Sequence, residues 1–157
     1  MTVYLVRHAR AGQRSAWKGD DRLRPLSKAG QRQAAGLVNL LEDVGVEQIG
    51  SSPYVRCRQT VEPLAARLGL DVEDIDDLAE EMPVDEVLRL IDKVSHCQAV
   101  LCTHGDIVEG VLRHLKRHGV KLGKANFEKG SVWALRTDGG TVVGATYFSA
   151  PKSKSAR

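Results

Sequence analysis

Cysteine is scarce in this chain, and its three copies follow no pairing pattern. The set, Cys57, Cys97 and Cys102, is odd in number and irregular in spacing, which excludes a disulfide framework. None of the three has an arginine six positions later, so the phosphate-cradling loop of cysteine phosphatases is excluded as well. The chain also begins with an apolar segment that lacks a signal-peptide pattern, and we therefore expect a protein of the reducing cytoplasm.

Long apolar runs and a dominant sign of charge are also missing. No apolar stretch approaches the length of a membrane span, so we expect no membrane association. The net charge is only +3 and the charges are interspersed outside the last few residues, so no nucleic-acid surface is predicted. With 42% apolar residues and no repeats or internal linker, the sequence predicts one domain over residues 1–150 and a disordered basic tail over 151–157.

Short apolar runs alternate with amphipathic segments along the chain. The runs Val3 to Val6 and Ala99 to Cys102 predict two buried strands. Further elements are predicted as a strand at 47–50, a hairpin at 131–147, and helices after Ser27, from Pro53 to Gly69 with Ser52 as N-cap, from Pro83, and after His104. This alternation predicts an α/β fold, a three-layer α/β/α sandwich with a mostly parallel sheet and a C-terminal hairpin.

Four basic side chains are predicted at the carboxyl edge of this sheet. Arg7 and His8 directly follow the first strand, His104 follows the strand at 99–102, and Arg56 lies in the first turn of a helix. Ligands of open parallel sheets bind beyond the carboxyl ends of the strands, so we expect one pocket to collect all four. Two guanidiniums and two imidazoles suit a tetrahedral phosphate dianion, and a histidine there can attack phosphorus itself.

Other chemistry-bearing patterns have simpler explanations. His114 and His118 have the spacing of a metal-binding pair, but no third ligand is evident, so we predict no metal site and no cofactor. The segment Asp74 to Leu78 resembles an aspartate-nucleophile motif, but it lies in an acidic run and is predicted as a solvated loop. Arg58 is two residues beyond Arg56 on the same helix and is predicted to point to the surface.

Three separated motifs resemble those of the histidine phosphatase superfamily, whose fold is phosphoglycerate mutase-like. They are the segments Leu5 to Ala9, Ser52 to Thr60 and Thr103 to Gly105. The short chain, the His8-Ala9 pair and the segment Arg24 to Gly30 resemble the SixA-type branch, known as phosphohistidine phosphatases. The region from Gly19 to Ala65 is also similar to the phosphatase-like C-terminal domain of some MutT-type Nudix hydrolases.

The resemblance assigns a role to each candidate residue. It implies a metal-independent phosphatase in which His8 becomes phosphorylated and His104 is the second histidine of the pocket. Arg7 and Arg56 are then expected to hold the phosphoryl oxygens, and Arg24 to extend that anion site. Glu80 is the candidate general acid, with Glu81 as the neighbouring alternative.

Two positions depart from the usual pattern of this family, and the substrate stays open. Ala9 stands where most members have glycine, and Arg10 stands where many have an acid, so Arg10 is expected to change the charge of the pocket. The leading hypothesis is hydrolysis of phosphohistidine on proteins. The alternatives are a phosphatase of a small phosphorylated metabolite or nucleotide, and a catalytically silent module that binds phosphate or a Nudix partner.

Overall fold

A computed structural model describes residues 1–152 and contains a six-stranded sheet flanked by helices. The strands lie in the order β3-β2-β4-β1-β5-β6. Their bounds are β1 Thr2–Arg7, β2 Gln48–Ser51, β3 Val72–Asp74, β4 Ala99–Thr103, β5 Val132–Asp138 and β6 Thr141–Phe148. The helices are α1 Lys28–Leu41, α2 Val55–Leu68, α3 Val84–Val94 and α4 Gly105–Arg117. Residues 153–157 of the predicted basic tail lie outside the described residues.

Strands β1 to β4 are parallel, whereas β5 and β6 form the predicted antiparallel hairpin beside β1. The register between β1 and β4 pairs Arg7 with Thr103. His8 and His104 therefore leave two adjacent strands at the same level. The backbone N–H of His8 donates to the carbonyl of Thr103 at 3.0 Å, which fixes this alignment.

The central strand β1 is buried on both faces, as its continuous apolar run predicts. Val3 and Leu5 pack with the helices α3 and α4, where the largest core cluster lies. Tyr4 and Val6 pack on the opposite face with α1 and α2. The two clusters give the three predicted layers, and the predicted fold class is confirmed.

Helix α2 begins later than the sequence predicts. Ser52 was expected to cap it, but the helix starts at Val55 with Tyr54 in the N-cap position. The Ser52 hydroxyl instead lies 2.8 Å from Nε2 of His104, a partner that sequence spacing does not reveal. The predicted end of α2 is correct, since Leu68 is its last residue and Gly69 follows as the C-cap.

The acidic segment after α2 is also more ordered than predicted. Residues Val72–Asp74 form the short edge strand β3, which pairs in parallel with β2. The long connection from Ala9 to Pro25 contains only two short 3₁₀ turns, Arg14–Ala16 and Asp21–Leu23. Among residues 1–152, no helix has both the length and the apolar character needed to cross a membrane.

Candidate active site

A cavity of about 640 Å³ opens at the carboxyl edge of β1 and β4. Its lining includes all six residues that the sequence singled out, namely Arg7, His8, Arg24, Arg56, Glu80 and His104. Strand ends supply Arg7, His8 and His104, the first turns of α2 supply Arg56, and a turn before α3 supplies Glu80. The four side chains that were predicted to converge, Arg7, His8, Arg56 and His104, therefore share one cavity, and Arg24 and Glu80 lie there as well.

The ring of His8 is placed for attack through Nε2. Its Nδ1 lies 2.8 Å from the carbonyl oxygen of Ala9, which can only accept, so Nδ1 carries the proton. Nε2 has no hydrogen-bond partner among residues 1–152. Burial lowers the pKa of His8 to about 3, and the nearby charges of Arg56 and Arg7 add to this effect against the Ala9 hydrogen bond. The ring is therefore neutral at pH 7, with a free lone pair.

His104 is held by a hydroxyl on one side and faces the cavity on the other. Its Nε2 lies 2.8 Å from Oγ of Ser52, while the buried Nδ1 has no hydrogen-bond partner in the described part of the chain. Burial lowers its pKa to about 3, helped by His8 and Arg56. When Nε2 accepts the Ser52 O–H, the neutral ring carries its proton on Nδ1 and presents an N–H donor toward the cavity.

The guanidinium of each pocket arginine donates to a backbone carbonyl, which fixes its position. Arg56 is 1% exposed and donates through Nη1 to the Asp21 carbonyl at 2.9 Å. Arg7 donates through Nη1 to the Phe127 carbonyl at 2.7 Å. Gly105 lets α4 begin against this guanidinium, because a Cβ there would lie only 2.7 Å from Cζ of Arg7. Each guanidinium therefore has a set position before any ligand arrives.

Three buried nitrogens in the described residues lack a hydrogen-bond partner, and all three belong to this pocket. They are Nε of Arg7, Nε of Arg56 and Nδ1 of His104. An unpaired buried donor costs about 1–3 kcal/mol, so three in one cavity need an explanation. Phosphate, an anion with several acceptor oxygens, is the kind of ligand that supplies partners to such nitrogens.

The Asp21 carboxylate contacts three arginines that line the cavity. Asp21 accepts from Nε of Arg24 at 2.9 Å and from Nη2 of Arg56 at 3.1 Å, and Arg14 lies 3.5 Å away. Although burial raises the pKa of Asp21, the hydrogen bond from Arg24 and the charge of Arg56 hold it below its ordinary value. Sequence reasoning missed Asp21, because nothing in the local spacing shows that Arg14 and Arg56 meet this carboxylate together with the nearby Arg24.

Arg24 is buried, and its guanidinium is used within the protein. It contacts the Asp21 carboxylate and the Gly12 carbonyl. Arg24 lines the cavity, next to the anion site that it was expected to extend. Its role in binding phosphate stays a prediction.

Glu80 is nearer to the reacting groups than Glu81. Its carboxylate lies 3.3 Å from Nη2 of Arg56, 3.4 Å from Nη2 of Arg14 and 3.7 Å from Nδ1 of His104. Glu81 has a positive φ of 67° and its backbone N–H donates to Asp106 at 2.7 Å, at the edge of the cavity. Glu80 therefore stays the predicted general acid.

The remaining sequence expectations concern residues outside this site. Arg58 forms ion pairs with Asp74 and Glu62 away from the cavity, as predicted. The rings of His114 and His118 stack with centroids 4.0 Å apart. Within residues 1–152, no group of three or more His, Cys, Asp or Glu side chains has the arrangement of a metal site.

Residues 3–85 match the family described as "Histidine phosphatase superfamily (branch 1)". The chain belongs to the histidine phosphatase superfamily. It is 37% identical over 161 residues to the 8-oxo-(d)GTP phosphatase of Mycolicibacterium smegmatis, an alignment that covers 98% of this chain. The chain spans about half of that relative's length, 49%.

Solved structures of other proteins have the same fold. The protein histidine phosphatase SixA complexed with tungstate has a TM-score of 0.74 at 20% identity, with 98% of this chain and 97% of that chain covered. The alpha-ribazole phosphatase from Shigella flexneri has a TM-score of 0.68 at 16% identity, with 98% and 97% covered. The predicted histidine phosphatase class is confirmed at the level of the family.

Proposed function

We propose that this histidine phosphatase family member hydrolyses phosphorylated substrates through a covalent phosphohistidine at His8. The observation that carries the proposal is the set of three unpartnered buried N–H groups around one neutral imidazole. A phosphoryl group placed among those donors has its oxygens bound and its phosphorus facing Nε2 of His8. Preorganised donors of this kind stabilise charge that develops in the transition state without having to move.

The reaction has two displacement steps. In the first, the Nε2 lone pair of His8 forms a bond to phosphorus while the bond to the leaving group breaks and that group takes the electron pair. In the second, water attacks the phosphorus of phospho-His8, and the imidazole departs with the electrons of the N–P bond. Arg7 and Arg56 supply the positive charge that the transferred group needs, so neither step requires a metal ion.

Glu80 determines which leaving groups fit this site. An alkoxide must be protonated as it departs, whereas a protonated imidazole or a phosphate leaves without that help. The oxygens of Glu80 already accept hydrogen bonds from Arg14 and Arg56, so a substrate that needs no proton from Glu80 leaves these contacts in place. Substrates with good leaving groups are therefore the best candidates.

Two substrate classes meet this requirement. Phosphohistidine on a protein is one, supported by the shared fold with SixA and by a cavity that opens to the surface. A nucleotide is the other, supported by the 37% identity to a nucleotide phosphatase. A silent binding module would bind phosphate in the same cavity but transfer nothing.

Trapping of the intermediate tests the proposal. We expect a generic aryl phosphate labelled at phosphorus to leave acid-labile, alkali-stable label on the wild-type protein, with or without EDTA. His8→Ala should take up no label and lose at least about 10⁴-fold in turnover, because its nucleophile is gone. His96→Ala, which removes an exposed histidine, is the matched control and should label normally. Binding of the substrate without label or turnover would establish the silent module instead.

A further inference from the structure

A second cavity of about 550 Å³ adjoins the candidate active site. Arg7, Ala11 and Lys129 line both cavities, so a ligand can extend from one into the other. Arg10 lines the second cavity, and its carbonyl accepts the backbone N–H of Ser27, directly before α1, at 3.0 Å. Arg10, which departs from the family pattern, therefore places a positive charge next to the catalytic pocket.

Gln33 holds the backbones of Arg10 and Lys129, two cations of this second cavity, in place. Its side chain is only 5% exposed, accepts from the backbone N–H of Arg10 at 2.9 Å and donates to the carbonyl of Lys129 at 3.2 Å. Gly30 brings Arg10 still closer to α1, because a Cβ there would lie 1.8 Å from the Arg10 carbonyl oxygen. One buried amide thus holds the backbones of two like-charged residues next to each other.

Arg10 and Lys129 are exposed residues, and neither has an ion-pair partner among residues 1–152. Partial burial lowers the pKa of Lys129, and the charges of Arg7 and Arg24 lower it further. The acid in the lining, Glu128, accepts the backbone N–H of Ala150 at 2.9 Å and keeps its own negative charge. The three cations of the lining, Arg7, Arg10 and Lys129, outnumber this acid, so a net positive potential favours an anion there.

We propose that Arg10 and Lys129 form a second anion subsite, which takes a phosphate joined to the one that is transferred. This inference rests on the proposed function and names its substrate class as phosphoanhydrides, such as nucleoside diphosphates. Nε2 of His8 bonds to the terminal phosphorus, the P–O bond of the anhydride breaks, and the departing phosphate keeps the electron pair. The departing phosphate lies between Arg10 and Lys129 and needs no proton from Glu80.

Competition with two inorganic anions tests the subsite. Hydrolysis of an aryl phosphate is measured with orthophosphate or pyrophosphate as inhibitor, in EDTA. Wild type should bind pyrophosphate at least about tenfold more tightly than orthophosphate, since a second charge-assisted contact contributes about that much. Lys129→Met and Arg10→Met should each reduce this ratio to threefold or less, whereas Lys121→Met, an exposed lysine outside both cavities, should keep it.

A nucleoside diphosphate serves as the second arm of the experiment. Its kcat/KM relative to the aryl phosphate should fall about tenfold in both cavity variants, because only the diphosphate contacts the subsite. Equal affinities for the two anions in wild type, an equal loss on both substrates, or faster turnover of a phosphohistidine peptide than of the diphosphate would overturn the proposal.

Failure of the proposed function can be distinguished from failure of the subsite. Absence of label on His8 would refute the covalent mechanism alone, because calorimetric titration with pyrophosphate and orthophosphate still measures the subsite without any turnover. A labelled enzyme that shows no preference for pyrophosphate would refute the subsite alone.

Discussion

Two sides of the active-site cavity satisfy their charged groups in opposite ways. The phosphate floor, made of Arg7, His8, Arg56 and His104, is mostly buried and keeps three N–H donors free. The ionic wall, made of Arg14, Asp21, Arg24 and Glu80, uses its charges on one another. The floor is ready to bind an anion, whereas the wall must exchange partners before its arginines can do so.

The difference follows from the elements that carry the two groups. The floor residues lie at strand ends and helix starts, where backbone hydrogen bonds fix them, and Arg56 has a side-chain exposure of only 1%. Most of the wall lies on the loop before α1, and the side chain of Arg14 is 64% exposed. Ion pairs at such exposed positions contribute little stability. Substitutions in the floor should therefore affect chemistry, and those in the wall should mainly adjust it.

After the loss of turnover expected for His8→Ala, the largest effect is expected at Glu80, the wall residue that also contacts the floor at Arg56 and His104. Glu80→Gln removes a proton donor and should slow hydrolysis of alkyl phosphates by about a hundredfold. Phosphohistidine and pyrophosphate should change little, because their leaving groups depart without that proton. Steady-state kinetics on the three substrates measures the difference, with Glu81→Gln as the adjacent control. A uniform loss on all three would make Glu80 a structural or binding residue.

Removal of a floor arginine should weaken anion binding. Arg56→Ala is expected to raise the inhibition constant of orthophosphate by about ten- to a hundredfold, since one charge-assisted contact contributes about 1.5–3 kcal/mol. Arg58→Ala is the matched control, because that side chain lies on the same helix but pairs with Asp74. Circular dichroism verifies that both variants fold. Unchanged phosphate affinity in Arg56→Ala would show that the floor is assigned wrongly.

The two neutral histidines of the floor make folding stability depend on pH. His8 and His104 each have a pKa of about 3 in the folded protein, against about 6.5 in an unfolded chain. Between these values the unfolded chain binds more protons, so the free energy of unfolding should fall as pH falls from 6.5 toward 3. Each histidine contributes at most about 1.4 kcal/mol per pH unit.

Urea denaturation between pH 7 and pH 4 measures this dependence. His8→Ala should reduce the slope of stability against pH, while His96→Ala serves as the exposed control. A slope that is the same in His8→Ala and wild type would mean that His8 is already charged in the folded protein.

The smallest effect is expected at Asp21, another residue of the wall. Asp21→Asn removes an anion that competes for Arg56, so orthophosphate should bind about two- to fivefold more tightly, while the free energy of unfolding falls by about 1 kcal/mol. Asp20→Asn changes the neighbouring carboxylate, which pairs with Arg22, and should leave phosphate affinity as it was. Weaker phosphate binding in Asp21→Asn would mean that Asp21 orients Arg56 and does not compete for it.

The floor was predictable from sequence, whereas the wall was not. Apolar runs locate β1 and β4, and parallel strands bring their ends together, so Arg7, His8 and His104 needed no further information. Asp21 depends on how a long loop folds back, and no periodicity encodes that path. The role of Gln33 was not predicted either, because the sequence does not indicate which groups a polar side chain on a buried helix face will contact.

Local sequence patterns also gave wrong predictions of secondary structure where a tertiary contact competes for the same group. Ser52 followed by Pro53 is a typical helix start, yet the hydroxyl binds His104 and the helix begins three residues later. The acidic stretch around Val72 has the composition of a loop, but its backbone finds hydrogen-bond partners on the edge of β2. In both cases a long-range partner was not visible in the sequence, and Oγ of Ser52 also accepts the backbone N–H of Tyr54 at 3.3 Å.

The hydrogen bonds of β1 also set the order in which activity appears during synthesis. Along the chain, His8 comes before the residues that fix it, because its backbone partner is Thr103 and the neighbouring Arg7 bonds to Ser131. The N–H of Gly130 donates to the carbonyls of both Arg7 and His8. Contacts at such sequence separation form late. The nucleophile is therefore synthesised before its pocket, which forms only when β4 and β5 pair with β1.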